Sequence, residues 1–455
     1  MKNKLINSFF YTIVSSGIFF SFNFFIAKII GANNYGQIVY SLSFINIIIV
    51  TISMNYTALY MGNKIIKEDE HTFSLFFTIE TLLYLILLIP IYLVLFHFIQ
   101  DIYTIYLMLS IAYLIVILNS TGLEYNSNND IVNSIKISSL YPRILLVSFF
   151  TFMILIDYNK AIYYLISYLL ANLIIYIYIL IKFKPQFYFK KGLFKRAWKF
   201  YLLGILGTTF THIAQILQKE YGSYEQVATL AIVLLFFAGL SIISSVLIKF
   251  ILPVMHEYYK NNQIEKIGEI YSNNTLLVTM LILPIIICLL FNIYDISYFL
   301  GRGYELLPIY FYILVIGYII DLLTGVTGNI LRTTENEKFE IYNELSRFIF
   351  GLWFIYIFRD NTYGIAIAIA LSMIIYNVLK FIEVYYLFKF IPIRKKQFLY
   401  IVTQASALSI SLYFILMINN IYLKYALQLS VFGVVYIGIF QFIKSNKILL
   451  QGYSR

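Results

Sequence analysis

One run of this chain sets polar side chains at steps of three and four residues inside an otherwise apolar stretch. They are Gly204, Thr208, Thr211, His212, Gln215, Gln218, Lys219 and Gly222. That spacing gathers them on one face of a helix. At about 1.5 Å per residue, His212 falls near the middle of a membrane span. Hydroxyl, amide and imidazole groups cannot face hydrocarbon cheaply, so the stripe must meet water or protein. It either lines a hydrated path for a polar molecule or fastens helices together through Thr and Gln hydrogen bonds. The histidine and lysine in it weigh towards the path.

Other candidates are cations, carboxylates and amides placed where lipid is expected. Gly17, Ser21 and Lys28 share a face of the first apolar stretch, with Asn23 nearby. Lys28 reads as a cation at the mouth of a path or as a lysine reaching for head groups. Arg143, just after Pro142, reads as an anion-binding guanidinium or an interfacial anchor. Asn46, Asn55, Asn172 and Asn377 are mid-span amides, suited to hydroxyl-rich ligands and equally to bonds between helices. Asp321 and Glu80 lie well inside apolar stretches, and an intramembrane carboxylate is a functional group by default. Glu383 says less, because Lys380 three residues earlier is placed to pair with it. No Gly-x-x-x-x-Gly-Lys-Ser/Thr loop occurs, which argues against ATP hydrolysis. Gly301-Arg302-Gly303 reads as a turn.

The elements that must position these residues are fourteen apolar stretches. They cover residues 8–30, 38–61, 73–98, 102–120, 137–156, 161–181, 200–218, 227–253, 274–292, 306–331, 341–358, 363–388, 398–418 and 421–442. Helices are required, because an unpaired peptide group in lipid is too costly and no alternating barrel pattern is present. The chain has 455 residues, 61% hydrophobic and 12% charged, with mean hydropathy +0.82. Soluble proteins are about a quarter charged, so a soluble enzyme is excluded. Spans of about 20 residues consume nearly all of the length and leave no sizeable outer domain.

Lysine and arginine crowd every second gap, as they do on the cytoplasmic side of a membrane. The alternate gaps hold one each: Lys28, Lys160, Lys219, Arg302, Arg359 and Lys424. The ratio is roughly four to one, which places both termini in the cytoplasm. The net charge of +11 follows from this bias and points to anionic head groups, not to nucleic acid. The N-terminus reads as a retained first span, since its apolar stretch is long and lacks a small-x-small cleavage site. The single cysteine, Cys288, allows neither a disulfide nor a thiol metal site.

Residues 182–199 mix aromatic side chains with seven cations and mark the best boundary between halves, as an interfacial segment or a plain linker. A repeat crosses it. Gly31-Ala32-Asn33-Asn34-Tyr35-Gly36-Gln37-Ile38 ends the first span, and Glu220-Tyr221-Gly222-Ser223-Tyr224-Glu225-Gln226-Val227 ends the seventh. An offset of six spans gives both copies one orientation, with a path expected between the halves.

At these residues the chain resembles a known group. Ala27-Lys28-Ile29-Ile30-Gly31-Ala32-Asn33-Asn34-Tyr35-Gly36 is similar to the Ala-Arg-x-Leu-Gly-x-x-x-Tyr-Gly pattern of Wzx-type polysaccharide flippases. These belong to the multidrug/oligosaccharidyl-lipid/polysaccharide (MOP) superfamily. Phe299-Leu300-Gly301-Arg302-Gly303-Tyr304 and the segment from Gly328 to Lys338 resemble two further patterns of that group. Lysine replaces the usual arginine at position 28, and Asn336 stands where glycine is common.

The resemblance implies an all-α integral membrane protein of about fourteen helices. Two six-helix lobes, 1–183 and 200–390, would be related by a pseudo-two-fold axis along the membrane normal. The linker 184–199 would join them, and 391–455 would add two C-terminal helices. It implies alternating access that carries an undecaprenyl-pyrophosphate-linked oligosaccharide to the outer leaflet of a bacterial cytoplasmic membrane, for O-antigen or capsule. A polysaccharide polymerase and a chain-length regulator are the implied partners, with membrane lipids around the protein. Substrate contacts would fall to Lys28, Asn23, Arg143, Thr208, Thr211, His212, Gln215, Gln218 and Lys219. Asp321, then Glu80, would couple transport to protons or sodium, with no other cofactor. A multidrug exporter of the same superfamily is the alternative; a membrane polymerase or ligase would need a long outer loop that is lacking.

Overall fold

The computed structural model describes residues 2–53, 71–128, 130–189, 193–418 and 421–445. Asn55, Lys64, Lys67, the end of the expected second span, linker residues 190–192 and the side chains of 193–200 lie outside the described residues. Every described apolar stretch is helical, and the described residues include no strand.

The helices are α1 (Lys2–Ser53), α2 (Thr72–Phe98), α3 (Ile102–Ser127), α4 (Ile131–Ile135), α5 (Tyr141–Leu155), α6 (Ala161–Phe183), α7 (Leu193–Glu220) and α8 (Tyr224–Lys260). They continue with α9 (Ile264–Leu300), α10 (Leu307–Thr324), α11 (Thr327–Thr333), α12 (Glu337–Phe358), α13 (Gly364–Phe388), α14 (Lys395–Leu416) and α15 (Ile421–Ser445). Among the described residues ten helices are long and apolar enough to cross a membrane. Helix α1 counts once there but carries two of the expected spans. Helices α7 and α12, which carry most of the polar and charged stripes, are not among the ten.

Three boundaries differ from expectation. The first two spans form one helix rather than two joined by a loop, interrupted only at Gly31 (φ 78°, ψ 164°). The expected tenth span breaks at Gly325 (φ 67°, ψ −146°), which separates α10 from α11. A side chain there would also strike the Thr275 hydroxyl. The fifth span starts early, and a π-helical turn at Lys136–Leu140 leads into it. Pro142 follows at once; lacking an N–H, it cannot complete the ordinary α ladder. Helices α8 and α9 have 37 residues each, about 55 Å of helix against roughly 30 Å of hydrocarbon. Most of the expected loop 254–273 is therefore helix, turning only at 261–263.

The chain forms two compact units, residues 1–232 with 300–304, and 233–299 with 305–455. In the first, α1 is central and packs on α2, α3, α4, α5, α6 and α7. Asp101 caps α3, accepting from the backbone of Tyr103 and Thr104 and from the Thr104 hydroxyl. The Thr104 hydroxyl bond, with those backbone bonds, holds the Asp101 carboxyl below its usual range. In the second unit α13 packs on both α10 and α12. Helices α14 and α15 seat Ile401, Leu408, Leu412 and Ile439 against Leu276, Met280 and Ile287 of α9.

Candidate functional site

Four charged residues of the second unit, Asp321, Arg332, Glu340 and Lys380, line one cavity of about 230 Å³. Helix α12 supplies Glu340, Glu344 and Arg347, and α13 supplies Tyr376, Asn377 and Lys380, each set on one helical face. Arg332 enters from α11 and Asp321 from α10. Arg332 Nη2 lies 2.9 Å from Glu340 Oε1, and Lys380 Nζ lies 3.3 Å from the same oxygen. The Lys380 ammonium also sits 3.7 Å from the Tyr376 ring centroid. The Tyr376 hydroxyl donates to Glu344 Oε1 and, at 3.4 Å, to Glu340 Oε1. Arg347 Nη1 stands 3.4 Å from Glu344 Oε2. Glu383 does not take Lys380 as expected; it accepts from Asn343 at 2.5 Å, while Lys380 reaches across to α12.

This density of charge is tolerable because opposite signs share the site; an unpaired ion there would cost several kcal/mol. Gly328 makes the closeness possible. A Cβ at that position would lie 2.8 Å and 2.9 Å from the two Glu340 oxygens and 2.9 Å from Lys380 Nζ. The α10 break is closed by the Tyr271 hydroxyl, which donates to the Thr324 carbonyl at 2.6 Å and so satisfies an orphan helix end. Ile330, Leu331, Val384, Met255 and Tyr271 belong to one apolar cluster beside the site.

Of the predicted residues, Asp321 lines this cavity. Asn377 lines the same cavity, and Asn377, Lys380 and Arg347 lie within electrostatic reach of its carboxyl. Glu80 is elsewhere, buried between α2 and α3, with the Ser120 hydroxyl 2.7 Å and 2.8 Å from its two oxygens.

The α7 stripe divides between its two readings. Gln215 is buried, and its Oε1 accepts from Ser43 of α1 at 2.8 Å and lies 3.3 Å from His212 Nδ1. Gln218 is buried too and donates to Gln226 at 3.0 Å. These residues act as adhesion between helices. Thr208 is exposed and bonds only back to Gly204, and Thr211 and His212 are half-buried. Lys219 pairs with Glu220 at 3.1 Å and lies over the rings of Tyr40 and Tyr224.

On the first arm of α1, Lys28 is exposed. Asn23 is buried, donating to Phe19 O at 2.7 Å and accepting from Tyr35 across the Gly31 break. Arg143 Nη1 donates to Ser15 at 3.0 Å, and its guanidinium covers the Phe19 ring at 4.7 Å. No acidic residue pairs with Arg143 among the described residues. Asn172 closes on its own helix.

The motifs around Gly31 and Gly303 meet in space. Tyr304 donates to Ala27 O at 3.1 Å, and Thr229 donates to Gly303 O at 3.4 Å. Tyr40 donates to Glu220 at 2.9 Å and stacks edge-on against Tyr224. The two copies of the repeat thus touch. Sequence reasoning missed the Glu340–Lys380–Arg332 network, whose signal was the same three-and-four spacing on α12 and α13. Spacing within one helix shows a shared face but not the helix that meets it.

No family model and no curated protein matches this sequence. By structure the chain is similar to the lipid II flippase MurJ in an inward closed conformation. The TM-score is 0.76 at 16% identity, covering 97% of this chain and 100% of that one. An inward-facing multidrug resistance MATE transporter of the MOP superfamily matches with TM-score 0.61 at 14% identity, over 81% of this chain and 94% of that one. A MOP superfamily transporter from Pyrococcus furiosus matches with TM-score 0.59 at 11% identity, over 85% and 96%. The chain has the MOP transporter fold. These neighbours are transporters and flippases, and the ten long apolar helices among the described residues agree with a multi-pass membrane protein.

Proposed function

We propose that this protein is a flippase that carries an undecaprenyl-pyrophosphate-linked oligosaccharide from the cytoplasmic to the outer leaflet by alternating access. The glycan would feed surface polysaccharide synthesis, O-antigen or capsule, beside a polymerase and a chain-length regulator in the bacterial cytoplasmic membrane. The observation that carries this reading is the extent of the structural likeness. A lipid flippase covers 97% of the chain, whereas the multidrug transporters cover 81% to 85%. The shortfall is about the length of the last two helices, which pack on α9.

Arg143 supports the reading. A half-buried guanidinium with a hydroxyl, an aromatic face and no carboxylate is suited to a phosphate, which it can grip with two parallel bonds. Lys28 adds an exposed cation, and the exposed part of the α7 stripe, Thr208 with Thr211 and His212, offers hydroxyl and imidazole groups to sugars. The division into lobes at 184–199 and the placing of both termini in the cytoplasm belong to this proposal. Asp321, with Glu80 second, would take the coupling proton or sodium ion. The multidrug exporter reading shares the fold. The two separate when the gene is deleted: the flippase reading expects the lipid-linked repeat unit to accumulate on the cytoplasmic face. Accumulation on the outer face, or an unchanged surface glycan with new drug sensitivity, rejects it.

A further inference from the structure

We propose that the Lys380 ammonium is a tethered cation serving two carboxylates: it rests on Glu340 and crosses the cavity to Asp321 when Asp321 is ionised and has no other cation. The coupling ion at Asp321 then competes with a charge the chain carries itself. The idea rests on the reading of Asp321 as the coupling carboxylate.

The charges around Glu340 are unevenly shared. Arg332 and Lys380 both bond Oε1, while Oε2 is buried with no hydrogen-bond partner among the described residues. Arg332 alone neutralises Glu340, so Lys380 can leave without stranding a buried carboxylate. Asp321 is the reverse case. It shares the cavity wall with Asn377 and Lys380, Arg347 also lies within electrostatic reach, and no ion pair closes on it among the described residues.

Other charged groups facing the site are held. Arg347 lies on Glu344 and over the Tyr376 ring, Glu344 also accepts from Tyr376, and Glu383 is bonded by Asn343. Lys380 alone combines a flexible four-carbon stem with an open cavity beside it. Asn377 precedes it by three residues on α13, so the amide and the ammonium lie on one helical face, and both line the cavity that Asp321 lines. The Tyr376 ring, 3.7 Å from the ammonium, gives it a cation-binding surface beside both acids.

The test is thermal unfolding of the purified full chain in sodium chloride against N-methylglucamine chloride at equal ionic strength, from pH 5 to 8. It needs no substrate, so its outcome is separate from that of the transport reading. The wild-type midpoint is expected to be indifferent to sodium. Lys380→Met leaves Asp321 bare, so its midpoint should rise with sodium or acid, since a ligand that binds only the folded state stabilises it. The response should vanish in Lys380→Met/Asp321→Asn and survive in Lys380→Met/Glu340→Gln. A Lys380→Met protein with no such response, or one that keeps it after Asp321→Asn, overturns the proposal. Should Lys380→Met fail to fold, the second substitution decides: rescue by Asp321→Asn supports the shared cation, and rescue only by Glu340→Gln rejects it.

Discussion

The α7 stripe and the α12–α13 faces follow the same three-and-four spacing, yet the fold uses them differently. In the first unit the buried members are neutral amides and hydroxyls that bond one another, Ser43 with Gln215 and Gln218 with Gln226. In the second they are ions, and Glu340, Lys380, Glu344 and the half-buried Arg347 share partners with the exposed Arg332 beside an open cavity. The difference follows from cost. Neutral hydrogen bonds between helices in lipid are worth only about 0.6 kcal/mol each, so they are small, local contributions. A buried ion needs counter-charge from several helices at once, which ties α11, α12 and α13 together.

The sharpest way to break this contrast is Glu340→Gln. It leaves Arg332 and Lys380 facing a neutral group and should cost about 3–5 kcal/mol of stability, read by denaturant unfolding of purified protein. A loss under ~1 kcal/mol would mean the charges were hydrated all along. Next comes Arg143→Ala, expected to reduce export of lipid-linked glycan about 10- to 100-fold by removing a charged hydrogen-bonded contact. Arg143→Lys should recover only part, because an ammonium cannot grip a phosphate in two places; full export in both variants would release Arg143 from the site.

Gly36→Ala probes the contact between the repeat copies. Its Cβ would fall 1.9 Å from the Tyr224 carbonyl oxygen, and the forced separation should cost about 1–3 kcal/mol. Smallest of all, Ser43→Ala with Gln215→Ala should show a coupling below about 1.7 kcal/mol in a double-mutant cycle and near-normal export. A large loss of export there would move this seam from adhesion to substrate contact.

Much of the architecture was legible before any coordinates. Fourteen apolar stretches, the alternation of lysine and arginine and the all-helical class need only the local rules of lipid and backbone. Asp321 was also legible, as a carboxylate where carboxylates are costly. The breaks at Gly31 and Gly325 were not, because a glycine in an apolar run permits a bend without requiring one. Whether it bends was decided by neighbours, Thr275 for Gly325.

Pairing was beyond the sequence altogether. Lys380 and Glu383 sit three apart on α13, and helical spacing makes them partners; the fold instead offers Lys380 a carboxylate 40 residues upstream. Spacing along one helix shows which side chains share a face. Which other helix meets that face, and so whether a stripe becomes glue, an ion cluster or an open site, depends on contacts between residues far apart in the chain, and those exist only once the chain has packed.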